Sequence, residues 1–330
     1  MISFGCRPLS RRLLLASASI VLLPRIGRAA GEEDFASWLA GLRRDALAQG
    51  ISGATFDRAF AGVAPIARVL ELDRRQPETT LTFDEYIARV VTPQRREAGR
   101  ERLDENRALL IAVARRYGVQ PRFIVALWGI ETDFGRLIGS YPVVAALATL
   151  AYDGRRAAFF RRELMNALVI IDRTRIDPSA MLGSWAGAMG QSQFMPSSFL
   201  RYAVSYRGDG APDIWRRRDD VFASIANYLA QSGWRGDENW GRRVSLPARF
   251  DDALAGLETR RRLPEWAALG VRRVDGGALP NAAKLEASLV LPGGSGGPAI
   301  LVYSNFRTLL LWNNSKYFAT AVGYLADSLE

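Results

Sequence analysis

Apolar residues recur at helical spacing along most of the chain. Between 34 and 60, Phe35, Trp38, Leu39, Leu42 and Ala46 share one face, and Gly50 stops the pattern. Residues 76–96 carry Pro77 and Pro93 around a shorter segment with Phe83, Tyr86 and Ile87. A longer amphipathic helix is expected next, with Leu103, Leu110, Val113, Ala114 and Tyr117 on its apolar side and Gly118 at its end. Pro121 suits a first helical position and opens a helix through about Phe134. Further helical patterns cover about 142–151, 155–173, 196–205 and 219–232. After Trp240 the pattern shortens. Runs at 242–246, 271–274, 287–291 and 299–303 are separated by Pro and Gly, including Pro292-Gly293-Gly294, and read as strands. Residues 306–325 return to helix. This predicts an α+β fold, predominantly α-helical with a small β-containing subdomain and no internal repeat.

The first thirty residues stand apart. Arg7, Arg11 and Arg12 precede an apolar run over 13–23, followed by small residues at Gly27, Ala29 and Ala30. This is the three-part pattern of a secretory signal peptide, with cleavage expected near Ala29 or Ala30. The run is short for a transmembrane helix. Ser10-Arg11-Arg12-Leu13-Leu14-Leu15 also fits a twin-arginine export signal, although paired arginines occur in ordinary signals too. Cys6 precedes the apolar run and so cannot be a lipoprotein's acylated residue. A periplasmic protein without a lipid anchor is expected. Cleavage would remove five arginines and no acid, taking the formal charge from +10 to +5. Such a surface suits anionic envelope polymers or lipid surfaces rather than nucleic acid, for which no recognition motif is present.

Composition narrows the chemistry further. The 330 residues include no histidine and a single cysteine, Cys6, which excludes Ser-His-Asp and Cys-His sites and His- or Cys-based metal centres. The only lysines are Lys284 and Lys316, neither in an S-x-x-K arrangement. An enzyme built from this chain must move protons mainly on Asp, Glu or Tyr.

One glutamate stands out. Phe123-Ile124-Val125-Ala126-Leu127-Trp128-Gly129-Ile130 contains no polar side chain before Glu131. A helix apolar on all sides is expected to be buried on all sides. Desolvation and the negative helix end both raise a carboxyl pKa, which general acid catalysis on a glycosidic oxygen requires. A glutamate reaching solvent or pairing with an arginine is the plainer alternative. Asp133 points away from Glu131 around the helix, so no obvious second carboxylate is available for an ordinary glycosidase pair. One carboxyl acting first as acid and then as base would need none. A second stretch, 183–196, places small residues at 183, 184, 186, 187, 188 and 190, with Ser184, Gln191 and Gln193 among them. Such a loop either lets backbone approach a ligand while neutral groups meet a sugar, or simply packs tightly against a helix.

Together these segments resemble the lytic murein transglycosylase B family, glycoside hydrolase family 103. The matching motifs are Gly129-Ile130-Glu131-Thr132-Asp133-Phe134-Gly135, Ala145-Ala146-Leu147-Ala148-Thr149-Leu150, Arg155-Arg156, 183–199, Ala226-Asn227-Tyr228, Gly233-Trp234, Asn305-Phe306-Arg307 and Trp312-Asn313-Asn314-Ser315. The resemblance runs from about residue 34 to 330. It implies a lysozyme-like catalytic core and cleavage of the MurNAc-β-1,4-GlcNAc bond of peptidoglycan without water. Glu131 would serve as single acid then base, giving a 1,6-anhydromuramoyl product with no cofactor. The 2-acetamido group would steady the oxocarbenium centre. A hydrolytic muramidase and a catalytically silent peptidoglycan-binding protein are the rival readings.

The resemblance also implies substrate contacts. Arg155 and Arg156 match a pair that meets the peptide or carboxylate part of the glycan. Ser184, Gln193, Asn313 and Tyr86 match cleft residues, and Phe194 and Tyr228 are aromatic candidates that could equally be core. Trp312 stands where better-known members have tyrosine, leaving stacking as the expected contact. Some members bind a cation in an EF-hand-like loop; here Arg207 and Arg216 occupy ligand positions between Ser205 and Asp220, and no metal site is expected. The division implied is 1–30 signal peptide, 31–100 N-terminal helical part, 101–240 catalytic core, 241–305 β-containing subdomain and 306–330 docking helix. Glycan strands are the expected partner of a monomer, with wall-synthesis or remodelling complexes as further candidates.

Overall fold

The computed structural model describes residues 34–74 and 81–330, so the signal-peptide expectation lies outside the described residues. Six helices come first: α1 (Phe35–Ala48), α2 (Gly53–Ala59), α3 (Ala67–Arg74), α4 (Phe83–Val90), α5 (Pro93–Glu105) and α6 (Arg107–Tyr117). Side-chain caps start most of them. Asp34, Ser52, Thr82 and Thr92 each accept a backbone N–H from the first turn, and Thr82 with Glu85 completes a reciprocal capping box. The single helix expected to end at Gly118 is two. Asn106 breaks it, its Nδ2 donating to the Arg102 carbonyl at 2.7 Å and its Oδ1 accepting from Arg218. Apolar periodicity runs on through the break and hides it.

The middle of the chain holds α7 (Pro121–Thr132), α8 (Val143–Tyr152), α9 (Ala157–Thr174), α10 (Pro196–Tyr202) and α11 (Arg218–Gln231). Between them β1 (Tyr141–Pro142) pairs antiparallel with β2 (Leu182–Gly183). These strands of two residues each leave no readable period. Helix α7 is the hub: every residue from Phe123 to Gly129 is buried, with α5, α6 and α11 packed around it. An all-round apolar segment has found an all-round apolar environment.

The remainder supplies β3 (Gly241–Ser245), β4 (Arg261–Arg262), α12 (Leu263–Ala268), β5 (Arg272–Arg273), β6 (Glu286–Val290) and β7 (Ala299–Val302). These strands form one antiparallel sheet in the order β4-β6-β7-β3-β5. Strand β7 explains its own unbroken apolar run. Ile300 and Val302 face the main helical core, while Ala299 and Leu301 face a second core built around Trp266, so both sides of the strand are buried. The closing helix is again two, α13 (Ser304–Trp312) and α14 (Lys316–Asp327), separated by extended Asn313 and capped by Ser315 on the Phe318 N–H. Helix α14 packs along α7, and Gly323 permits this region to close: a Cβ there would lie 2.2 Å from the Trp240 ring.

Candidate active site

Each residue of the 129–135 motif has a local task. Gly129 makes room for the Phe134 ring, which lies 2.6 Å from where a Cβ would stand. Thr132 donates its hydroxyl to the Gln191 carbonyl at 2.9 Å and accepts the Gly135 N–H at 3.1 Å. Asp133 and Phe134 take left-handed backbone angles (φ 51° and 60°), turning the chain sharply out of α7. Asp133 is then held by Arg95 at 3.4 Å and by Arg136. Burial pushes its carboxyl up, but those two arginines outweigh burial and keep it below the ordinary aspartate range.

Glu131 has the opposite surroundings. The residue is partly accessible, yet burial of its carboxyl pushes the pKa up to about 7, opposed only by a hydrogen bond from the Trp312 indole. Trp312 Nε1 donates to Glu131 Oε1 at 2.6 Å. Among the described residues no cation pairs with this carboxylate. A group poised near 7 is populated in both protonation states at neutral pH, which suits an acid that must also become a base.

The indole contact corrects the expectation that Trp312 offers stacking alone. Its ring lies 5.3 Å from Phe194 and 4.7 Å from Tyr228, centroid to centroid, and its N–H replaces the lost hydroxyl as a polar handle. The donor capacity of indole was legible in the residue type; which acceptor it would meet, 181 residues away, was not. Tyr228 is buried beneath this ring and donates its hydroxyl to the Leu311 carbonyl at 2.7 Å. Of the two readings open for it, the structure realises core packing: its phenol holds the end of α13.

The 183–196 loop also resolves in favour of packing. A Cβ on Gly183 would lie 2.1 Å from the Ala188 carbonyl oxygen, and one on Gly187, at φ 87°, 2.4 Å from Leu147. At these two glycines the missing side chains face protein atoms rather than open space. The polar groups are engaged as well. Ser184 Oγ accepts the Ala188 N–H, and Gln191 links Trp128 Nε1 to the Trp215 carbonyl. Gln193, at φ 49°, donates its amide to the carbonyls of Ile138 and Gly190. In these bonds Ser184 Oγ serves as acceptor and the Gln193 amide as donor.

Arg155 and Arg156 converge on an acid absent from the sequence expectations. Asp73, 1% exposed, accepts from Arg155 Nε at 2.7 Å and from Arg156 at 2.5 Å, while the two arginine side chains stay nearly half exposed. Val69 and Asp73, four apart on α3, share its buried face, and that spacing was the available signal. Tyr86 packs against Tyr317 at 5.6 Å, and Asn313 is exposed beside Trp312.

Residues 34–327 match the family described as transglycosylase SLT domain. The chain belongs to this family. It is 36% identical over 216 residues to membrane-bound lytic murein transglycosylase B of Escherichia coli, an alignment covering 64% of this chain and 58% of that one. This chain therefore spans little more than half the length of that relative. The crystal structure of SltB3 from Pseudomonas aeruginosa in complex with NAG-anhNAM-pentapeptide superposes with a TM-score of 0.88 at 47% identity, covering 90% of this chain and 80% of that one. Escherichia coli lytic transglycosylase SLT35 in complex with calcium superposes at 0.76 with 29% identity, covering 88% and 92%. The fold is thus the mostly helical, lysozyme-like α+β architecture of this family.

The 205–220 loop carries Asp209, Asp213, Asp219 and Asp220. Its carboxylates are occupied by cations and backbone. Arg207 donates to Asp219 at 2.7 Å, Arg217 to Asp209 at 2.8 Å, and Asp220 accepts the N–H groups of Tyr206 and Asp213. Arg207 and Arg216 at ligand positions, with Arg217 paired to Asp209, do not fit a divalent cation.

Proposed function

We propose that this chain is a lytic transglycosylase that cleaves the MurNAc-β-1,4-GlcNAc bond of peptidoglycan and leaves a 1,6-anhydromuramoyl end. The observation that carries the reading is a lone carboxyl, Glu131, buried against the Trp312 indole, with its pKa raised to about 7 and no acidic partner acting on it among the described residues. Protonated Glu131 donates to the glycosidic oxygen as the C1–O bond breaks. Positive charge at C1 is met by the substrate's own 2-acetamido oxygen. The muramoyl C6 hydroxyl then closes on C1 and returns its proton to Glu131, so the acid is regenerated and no water is consumed.

Ser184, Gln193 and Asn313 are assigned to neutral sugar contacts, and Tyr86 to the cleft wall. The exposed edges of Arg155 and Arg156, oriented by Asp73, are assigned to carboxylates of the stem peptide. Tyr228 acts behind the cleft by fixing the end of α13. The chain works on glycan strands in the periplasm as a monomer, without cofactor, metal or nucleic acid, and is a candidate member of wall-remodelling complexes. Among the described residues no helix is long and apolar enough to cross a membrane.

Mass spectrometry of digested sacculi tests the reaction. Anhydro products, one water lighter than reducing ends, are expected from the native chain and not from Glu131→Gln. Reducing ends would instead establish a hydrolase, and equal release by both proteins would remove Glu131 from the chemistry.

A further inference from the structure

Trp312 does more than wall the socket. We infer that its indole N–H is a positioning device that reserves Oε1 of Glu131 as acceptor and makes Oε2 the oxygen that gives and takes the catalytic proton. This deepens the proposed single-carboxyl mechanism and rests on it.

The chemistry follows from what indole can do. An indole N–H donates and cannot accept. It lies 2.6 Å from Oε1, and a donor-only group can keep that bond whether the carboxyl is neutral or ionised. In the neutral acid the carbonyl oxygen is the better acceptor, so the hydroxyl is placed on Oε2. In the anion the same contact stabilises the charge, and Oε2 is left to take the proton back. A tyrosine hydroxyl could donate or accept and would not force this asymmetry. The indole is itself fixed: its ring is walled by Phe194 and Tyr228, and the preceding carbonyl, Leu311, is tied by the Tyr228 hydroxyl. Apart from burial, the one group acting on the carboxyl among the described residues is this donor, and the adjacent charges of Asp133, Arg95 and Arg136 are paired with one another in the turn beyond α7. A single well-anchored donor is enough to break the symmetry of a carboxyl that has no other partner.

Two replacements at position 312 test this. Trp312→Phe removes the N–H, and β-(3-benzothienyl)alanine at 312 replaces it with sulfur while keeping the bicyclic ring. The Glu131 carboxyl is titrated by infrared difference spectroscopy against Glu131→Gln, without substrate, alongside the pH profile of anhydro-product release. Loss of a donor that favours the anion should raise the carboxyl midpoint by about one pH unit and move the alkaline limb of the rate profile with it. Product release at pH 7 should fall roughly tenfold or more, with the isostere as impaired as Phe. An isostere with native midpoint and native rate would overturn the assignment, as would a rate loss in Phe alone, which would mark Trp312 as mere packing. Because the titration needs no turnover, it still reads the contact if the proposed reaction proves wrong.

Discussion

Two carboxylates two residues apart on one turn of chain meet opposite fates. Glu131 lies in an aromatic socket with one neutral donor and is pushed up to about 7; Asp133, just past the helix end, is clamped by Arg95 and Arg136 and held below its usual range. Two things separate them: the Glu131 carboxyl is the more deeply buried, and the fold delivers cationic neighbours to Asp133 but a neutral donor to Glu131. A protein with forty-two arginines must keep guanidinium groups away from a general acid. This one does so by setting the Trp312 indole, backed by Tyr228 and Phe194, against Glu131 and engaging Arg95 and Arg136 at Asp133.

The largest effect should come from exchanging roles across this divide. Glu131→Gln is expected to lower turnover of sacculi by about 10³-fold or more, whereas Asp133→Asn should reduce it only severalfold. A comparable loss in both, measured on folded proteins, would erase the distinction. Asp133→Asn should act on stability instead, by roughly 1 kcal/mol at pH 7. Its depressed carboxyl stabilises the fold above the unfolded aspartate pKa, and that contribution fades as pH falls through the folded value. Denaturant midpoints of native and variant chains should therefore converge in acid.

For Glu131 the sign reverses. A carboxyl raised to about 7 in the folded state opposes folding once it ionises. The penalty grows from the unfolded glutamate pKa near 4.3 up to about 7 and then levels off. Glu131→Gln should be more stable than the native chain by roughly 1–3 kcal/mol at pH 8 and indistinguishable at pH 4, the lower end allowing for the solvent that reaches the residue. Equal stability at both pH values would mean that the socket does not desolvate the carboxyl. Tyr228→Phe should cost about 1 kcal/mol by freeing the Leu311 carbonyl, and slow turnover severalfold through Trp312. The smallest expectation is a null one: calcium should produce no binding heat in isothermal titration, because Arg207 and Arg217 already hold the loop carboxylates. Tight binding would show that those ion pairs yield to a metal.

How far could the sequence be read? Helix α7 was legible because burial on every side leaves an unbroken apolar run, and Pro121 marks its start. The buried strand 299–302 was legible for the same reason. The breaks at Asn106 and Asn313 were not, since local hydrogen bonds interrupt helices whose apolar period continues past them. The small residues of 183–190 announced close packing, and only the fold specified that the packing partners are protein atoms such as Ala188 and Leu147.

What the chain determined by itself was its inventory: no histidine, one glutamate stranded in a greasy helix, and spacing enough to lay down most helices and the β-rich insert. The tertiary structure decided the partners. Trp312 reaches Glu131 across 181 positions, and Asp73 gathers Arg155 and Arg156 across about 82. Such pairings depend on how helices dock, and docking is selected by burial of whole faces, which carries no record in the local pattern of which single polar atoms will meet.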